Sequence, residues 1–138
     1  FNIGKSIMLQ KGKDGLFIST GVMTQIVLKA SKILEKEGIS IAVMHVHTIK
    51  PFDKETLLNT IGAFKAVVTV EEQTKIGGLG SSVLEILCDS TPDQLIKVDR
   101  IGMPDKFSDQ YGSQETLLYR NGITVENIVK CMKNKLKI

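Results

Sequence analysis

Apolar residues along the chain change period several times, and each change predicts an element. Lys5 to Leu9 and Leu16 to Ser19 are short apolar runs with β-branched and aromatic residues, the make-up of strands. Between them Lys11-Gly-Lys-Asp-Gly15 supplies turn chemistry, so the opening predicts a hairpin. Met23, Ile26, Val27, Ala30, Ile33 and Leu34 then fall on one face of a helix, and Gly38 stands where a left-handed C-terminal cap favours glycine. Ile39 to Val46 is apolar almost without interruption, as in a strand covered on both faces. Pro51 ends that run, and Asp53 is placed to cap a short helix carrying Leu57, Leu58 and Ile61. Ala66 to Val70 predicts another buried strand. Leu79, Val83, Ile86 and Leu87 share the face of a further helix, and Leu95 to Ile101 reads as a fifth strand. Gly102 to Ser113 follows no period. The last helix turns Ile128, Val129, Met132 and Leu136 inward, with lysines near its C-terminus to suit the dipole.

Strand and helix alternate after the opening, which predicts a mostly parallel sheet with helices on both faces. The expected fold class is therefore α/β: a three-layer α/β/α sandwich of about five strands, one of them antiparallel. At 138 residues the chain suits a single domain, 1–138, without repeats or low-complexity segments.

Composition narrows the functional classes. With 42% hydrophobic and 24% charged residues the chain can build a core, which excludes disorder over most of its length. A net charge of +3, 5% aromatic residues and no Trp argue against a nucleic-acid partner. No apolar run approaches the roughly 18 residues of a membrane span, and no signal-peptide pattern opens the chain. Cys88 and Cys131 lie far apart and form no CxxC or metal spacing. They read as buried or half-buried reduced thiols of a cytosolic protein.

The sharpest local feature runs from Val70 through Glu71, Glu72, Gln73 and Thr74 to the turn Gly77-Gly78-Leu79-Gly80-Ser81. In open α/β sheets ligands gather at the carboxyl ends of strands, and a helix N-terminus with little side-chain bulk can hold an anion on free N–H groups. The turn is no P-loop, since no Gly-Lys-Ser/Thr follows. Its glycines serve either tight helix–sheet packing or an anion or interface contact, with Glu71, Glu72, Gly77, Gly78, Gly80 and Ser81 as the contact residues. Adjacent strand residues face opposite ways, so Glu71 and Glu72 do not pair as acid and base; solvation or an interface hydrogen bond is expected for them. His45 and His47 share a strand face at a spacing known in metal sites, but no third ligand is identifiable, and packing or polar contacts account for the pair. Asp99, Asp105, Asp109 and Glu115 read as surface and capping residues. No Ser/His/Asp or Cys/His arrangement emerges, so no catalytic, cofactor-binding or metal-binding residue is assigned.

Taken in order, these motifs are recognisable. Glu71-Glu-Gln73 with Ile76-Gly-Gly-Leu-Gly-Ser81 resembles the transketolase C-terminal domain, typically an acidic pair, a His and a GGLG-like turn. Val46-His-Thr-Ile-Lys-Pro-Phe-Asp53 is similar to that family's step ending Lys-Pro-Leu-Asp. Arg100-Ile-Gly-Met-Pro-Asp-Lys-Phe107, Tyr111-Gly-Ser-Gln-Glu115 and Gly122-Ile-Thr-Val-Glu-Asn-Ile128 resemble its closing motif. Gln73 stands where the family often has His, and Phe52 where it has Leu.

The resemblance implies the C-terminal domain of a transferase that moves a two-carbon ketol unit between sugar phosphates. In the full enzyme thiamine diphosphate and a divalent metal would lie between the pyrimidine- and diphosphate-binding domains. This domain would serve structure and dimer contacts, would border the active site, and would bind no cofactor and catalyse nothing alone. A homodimer and a cytoplasmic location are implied. Deoxyxylulose-phosphate synthase and the beta subunit of 2-oxo-acid dehydrogenases share the motifs and stand as alternatives. So does a non-catalytic module for assembly or anion-linked regulation. A first residue of Phe1 rather than Met is expected of an excised domain or of the C-terminal half of a split enzyme.

Overall fold

The computed structural model describes residues 2–91, 93 and 96–138. Strands β1 (Ile7–Gln10), β2 (Gly15–Ser19), β3 (Ile41–His45), β4 (Ala66–Thr74) and β5 (Val98–Met103) form one sheet. Helices α1 (Met23–Lys36), α2 (Lys54–Ile61), α3 (Leu79–Ser90), α4 (Gln114–Arg120) and α5 (Val125–Leu136) complete the chain. The strand order is β1-β3-β2-β4-β5. β3, β2, β4 and β5 are parallel, and β1 runs antiparallel to β3 at one edge.

Strand alternation divides the core in two. Phe17, Ile41, Val43, Ala66, Val68 and Val70 point to one face and pack against α1 and α5 through Met23, Val27, Leu34, Ile128 and Met132. Leu16, Ile18, Ala42, Met44 and Val67 point to the other, against Leu57 and Ile61 of α2 and Val83, Ile86 and Leu87 of α3. Both faces of the central strands are thus dry. That is why β2 and β3 carry unbroken apolar runs, and each large side chain so buried contributes about 1.5–3 kcal/mol. Among the described residues no helix is long and apolar enough to cross a membrane.

Two expectations need correction. The opening strands do not form a hairpin: β3 lies between β1 and β2. The residues read as turn chemistry instead carry the chain across the start of β3. Asp14 accepts a hydrogen bond from the Ser40 backbone N–H at 2.7 Å. The N–H groups of Lys13 and Asp14 donate to the Ser40 carbonyl. Gly12 passes so close that a β-carbon there would lie 2.2 Å from the Ala42 nitrogen. The stretch after β5 also holds a helix that periodicity missed: α4 is only seven residues long, with Leu118 its one buried residue. Two apolar positions are too few to show a period. The fifth strand begins at Val98, and Leu95, its expected start, lies outside the described residues.

Asp53 caps α2 as expected and does more besides. Its carboxylate accepts from the Thr56 N–H at 3.3 Å and from the Ser6 N–H at 2.8 Å, tying the approach to β1 onto the start of α2. Burial would raise its pKa, but the Ser6 and Thr56 bonds and the Lys5 ammonium more than offset this and hold it below the usual aspartate range. A depressed carboxylate stabilises the fold above its unfolded pKa of about 4, and the contribution fades as pH falls through the folded value. Asp53→Ala is therefore expected to lower unfolding free energy by about 1–2 kcal/mol at neutral pH. The gap between variant and parent in urea titrations should close as pH falls below about 4.

Candidate functional site

The β4–α3 turn is organised around one carboxylate. Glu71 is the sixth residue of β4, points to the α3 side of the sheet and is completely buried. α3 begins after Gly78, which has no side chain to cap it, so the first N–H groups of the helix need an acceptor from elsewhere. Glu71 supplies it: Oε2 accepts from the Leu79 N–H at 2.8 Å and Oε1 from the Gly80 N–H at 2.9 Å. The helix dipole adds to the attraction.

The strand deforms to bring the carboxylate there. Val70 pairs with Ile101 and Thr74 with Met103, so residues 71–73 of β4 face Gly102 alone, as a bulge. A β-carbon at Gly102 would crowd Glu71 and the Gln73 carbonyl at 3.0 Å. The turn glycines divide the remaining work. Gly77 adopts φ +76°, a left-handed conformation that glycine takes without strain. A β-carbon on Gly78 would fall 1.8 Å from Glu71 Oε2, and one on Gly80 would meet Arg100 and Thr69 at 2.7 and 2.8 Å. Ser81 closes the loop, its hydroxyl accepting from the Gly77 N–H at 3.0 Å and donating to the Lys75 carbonyl at 2.8 Å. Arg100 donates to that same carbonyl at 2.9 Å.

Five of the six residues singled out in the sequence, Glu71, Gly77, Gly78, Gly80 and Ser81, thus meet in one hydrogen-bonded turn. Glu71 is not solvated, which corrects that part of the expectation, and the anion at the helix N-terminus is the chain's own. Glu72 takes the opposite face as alternation requires. It is half-buried, is hydrogen-bonded to the Gln114 side-chain amide at the start of α4, and lies 3.2 Å from where a Gly21 β-carbon would sit, just ahead of α1. Missed at the sequence level were the capping role of Glu71 and the parts played by Arg100 and Gly102. A GGLG start with no capping side chain, following an acidic residue at a strand end, was the available signal.

The remaining candidates are separate. His45 Nδ1 and Thr24 Oγ1 are 2.8 Å apart, and Thr24 in turn contacts the Ser19 hydroxyl. Burial, with His47 beside it, holds His45 below the usual imidazole range against a hydrogen bond to the Ser19 backbone. His47 Nδ1 pairs with Thr48 Oγ1 at 2.7 Å. Both cysteines are free, and Cys88 is exposed rather than buried. Burial and Asp99 push the Cys131 thiol up, against Lys135, which disfavours thiolate chemistry there. Asp99 also holds Lys135 in an ion pair.

Residues 4–128 match the family described as Transketolase, C-terminal domain. The chain belongs to that family. It is 40% identical over 132 residues to a 1-deoxy-D-xylulose-5-phosphate synthase of Syntrophotalea carbinolica, across 96% of this chain and 20% of that protein. It is 37% identical over 130 residues to a 6-deoxy-6-sulfo-D-fructose transketolase subunit of Clostridium sp. (strain MSTE9), across 94% of this chain and 39% of that one. Among solved structures, a split gene transketolase in the form of an inactive beta4 tetramer superposes with a TM-score of 0.88 at 36% identity. That match covers 99% of this chain and 44% of the other. The transketolase C-terminal domain described here therefore spans between a fifth and under half of these three relatives.

Glu71→Ala is expected to destabilise the domain by about 2–4 kcal/mol in urea unfolding, because two buried N–H groups lose their acceptor. Glu71→Gln should cost nearly as much, since one of its terminal atoms is a donor facing a donor. Gly78→Ala should cost less in the Glu71→Ala background than in the parent. Strict additivity of the two would mean that the carboxylate and Gly78 do not share the space.

Proposed function

We propose that the chain serves as the C-terminal domain of a transketolase-type transferase that moves a two-carbon ketol unit between sugar phosphates. The observation that carries this reading is the likeness to the split gene transketolase, 36% identical over 99% of the chain. In this reading thiamine diphosphate supplies the carbanion chemistry of the enzyme. The residues of this chain do not fit that group with its metal. The α3 N-terminus is filled by Glu71, and Glu72 stands close to the start of α1. No three His, Cys, Asp or Glu side chains are grouped for a metal ion among the described residues. The reading therefore assigns the cofactor and the reacting groups to pyrimidine- and diphosphate-binding domains. This domain's part is to support that assembly, as a homodimer and in the cytoplasm.

A second reading, part of a 1-deoxy-D-xylulose-5-phosphate synthase, is favoured by the 40% identity to the Syntrophotalea enzyme. One reconstitution separates the two. The chain combined with the cofactor-bearing polypeptide of its own organism is expected to transfer a ketol unit from a ketose phosphate to an aldose phosphate, with neither component active alone. Formation of 1-deoxy-D-xylulose 5-phosphate in place of ketol transfer decides for the second reading, and failure of both products overturns both.

A further inference from the structure

α4 ends on a dipeptide that is chemically hazardous by sequence and guarded by geometry. Asn121 is followed by Gly122, the only Asn-Gly pair formed by the chain's five asparagines. Glycine is required there: Gly122 adopts φ +72°, the left-handed turn that follows many helices. Its N–H donates to the Tyr119 carbonyl at 3.0 Å, and the Ile123 N–H donates to the Leu118 carbonyl at 2.9 Å. These are the paired bonds of a Schellman cap. Leu118 and Ile123, the two apolar residues such a cap brings together, are both buried in the core shared with α1 and α5.

A glycine after an asparagine opens the way to an internal reaction. The Gly122 nitrogen, once it has given up its proton to solvent, attacks the Asn121 side-chain carbonyl carbon, with no β-carbon to hinder the approach. A bond forms between that nitrogen and Asn121 Cγ. The Cγ–Nδ2 bond breaks, and the amide takes up a proton and leaves as ammonia. Water then opens the ring at either carbonyl. The product is aspartate in the ordinary backbone, or isoaspartate, whose main chain runs through the former side chain. Water is the only co-reactant.

In the fold both reacting groups are tied down. The Gly122 N–H is engaged by Tyr119, and Asn121 Nδ2 donates to the Leu117 carbonyl at 2.8 Å. From the other side, Asn127 Nδ2 donates to the Gly122 carbonyl at 2.9 Å. With φ −92° and ψ 12°, Asn121 continues the last turn of the helix. Attack therefore requires the Gly122 nitrogen to leave Tyr119 and swing toward the Asn121 side chain, which opens the cap.

We propose that Asn121-Gly122 is a spontaneous modification site that records unfolding: its amide is kept while the α4 cap is closed and lost when the cap opens. The product cannot restore the cap. An aspartate has no N–H to offer Leu117, and its charge falls at the negative end of the helix dipole. Isoaspartate lengthens the main chain inside the cap, so Leu118 and Ile123 no longer meet in register.

Peptide mass spectrometry of the full-length protein, folded and in urea at mildly alkaline pH, follows amide loss at each asparagine. Asn121 should lead in urea, and should react about tenfold or more slowly in the folded protein, in proportion to how rarely the cap opens. Asn127→Ala removes one lock without touching the reacting pair. It should quicken the folded rate severalfold and leave the rate in urea unchanged. Asn121→Gln, which would have to close a larger ring, should stop the loss at this position in urea. Asn121→Asp, standing in for the product, should speed hydrogen exchange over residues 114–123 severalfold. The proposal is overturned by equal rates in the folded and unfolded protein, by another asparagine leading in urea, or by loss that survives Asn121→Gln. It is overturned equally by an Asn127→Ala folded rate like the parent's, or by unchanged exchange in Asn121→Asp.

Discussion

A carboxylate withdrawn from water is tolerated only where its oxygens are fully engaged, and that constraint organises the β4–α3 corner. Glu71 has no exposure, and isolated in such a place it would cost several kcal/mol. Two N–H groups at the start of α3 need acceptors as much as the carboxylate needs donors. Each removes the other's penalty. The bulge opposite Gly102 and the missing side chain at Gly78 follow from the same requirement: one aims the carboxylate and the other leaves room for it.

β4 contributes side chains to both halves of the core. Apolar residues alternate from Ala66 to Val70 and anchor it in both cores. Beyond Val70 the same alternation is kept but the side chains become acidic, so that one glutamate serves α3 and the next reaches α4 through Gln114. A helix that buries only Leu118 could not be placed by its own packing. The polar link to Glu72 and the cap by Ser113, whose hydroxyl accepts from the Thr116 N–H at 3.2 Å, help hold it beside the sheet.

What could be read from the sequence divides along physical lines. Elements whose burial is dense announced themselves. The faces of α3 and α5 and the unbroken run of β3 were plain from periodicity, as was that of α1 except for Ile33, which lies exposed at the rim of its face, and Asp53 was plain from its position before a short helix. Sheet order was less visible, because Gly12 and Asp14 have the same chemistry whether a chain reverses into a hairpin or crosses a neighbouring strand. Only the contact with Ser40 distinguishes the two, and it is made with a residue twenty-six positions away. The Glu71 cap was hidden for the same reason. Helix caps are sought in the residue just before a helix, and here the acceptor comes from the preceding strand.

Opposite orientation of neighbouring glutamates also limits how this segment can change in length. A residue inserted or deleted between Ala66 and Glu71 would reverse the facing of all that follows, presenting Glu72 to α3 and turning Glu71 toward α1. A change of length is therefore tolerated only outside that six-residue stretch, in the surface connections, where neither carboxylate changes sides.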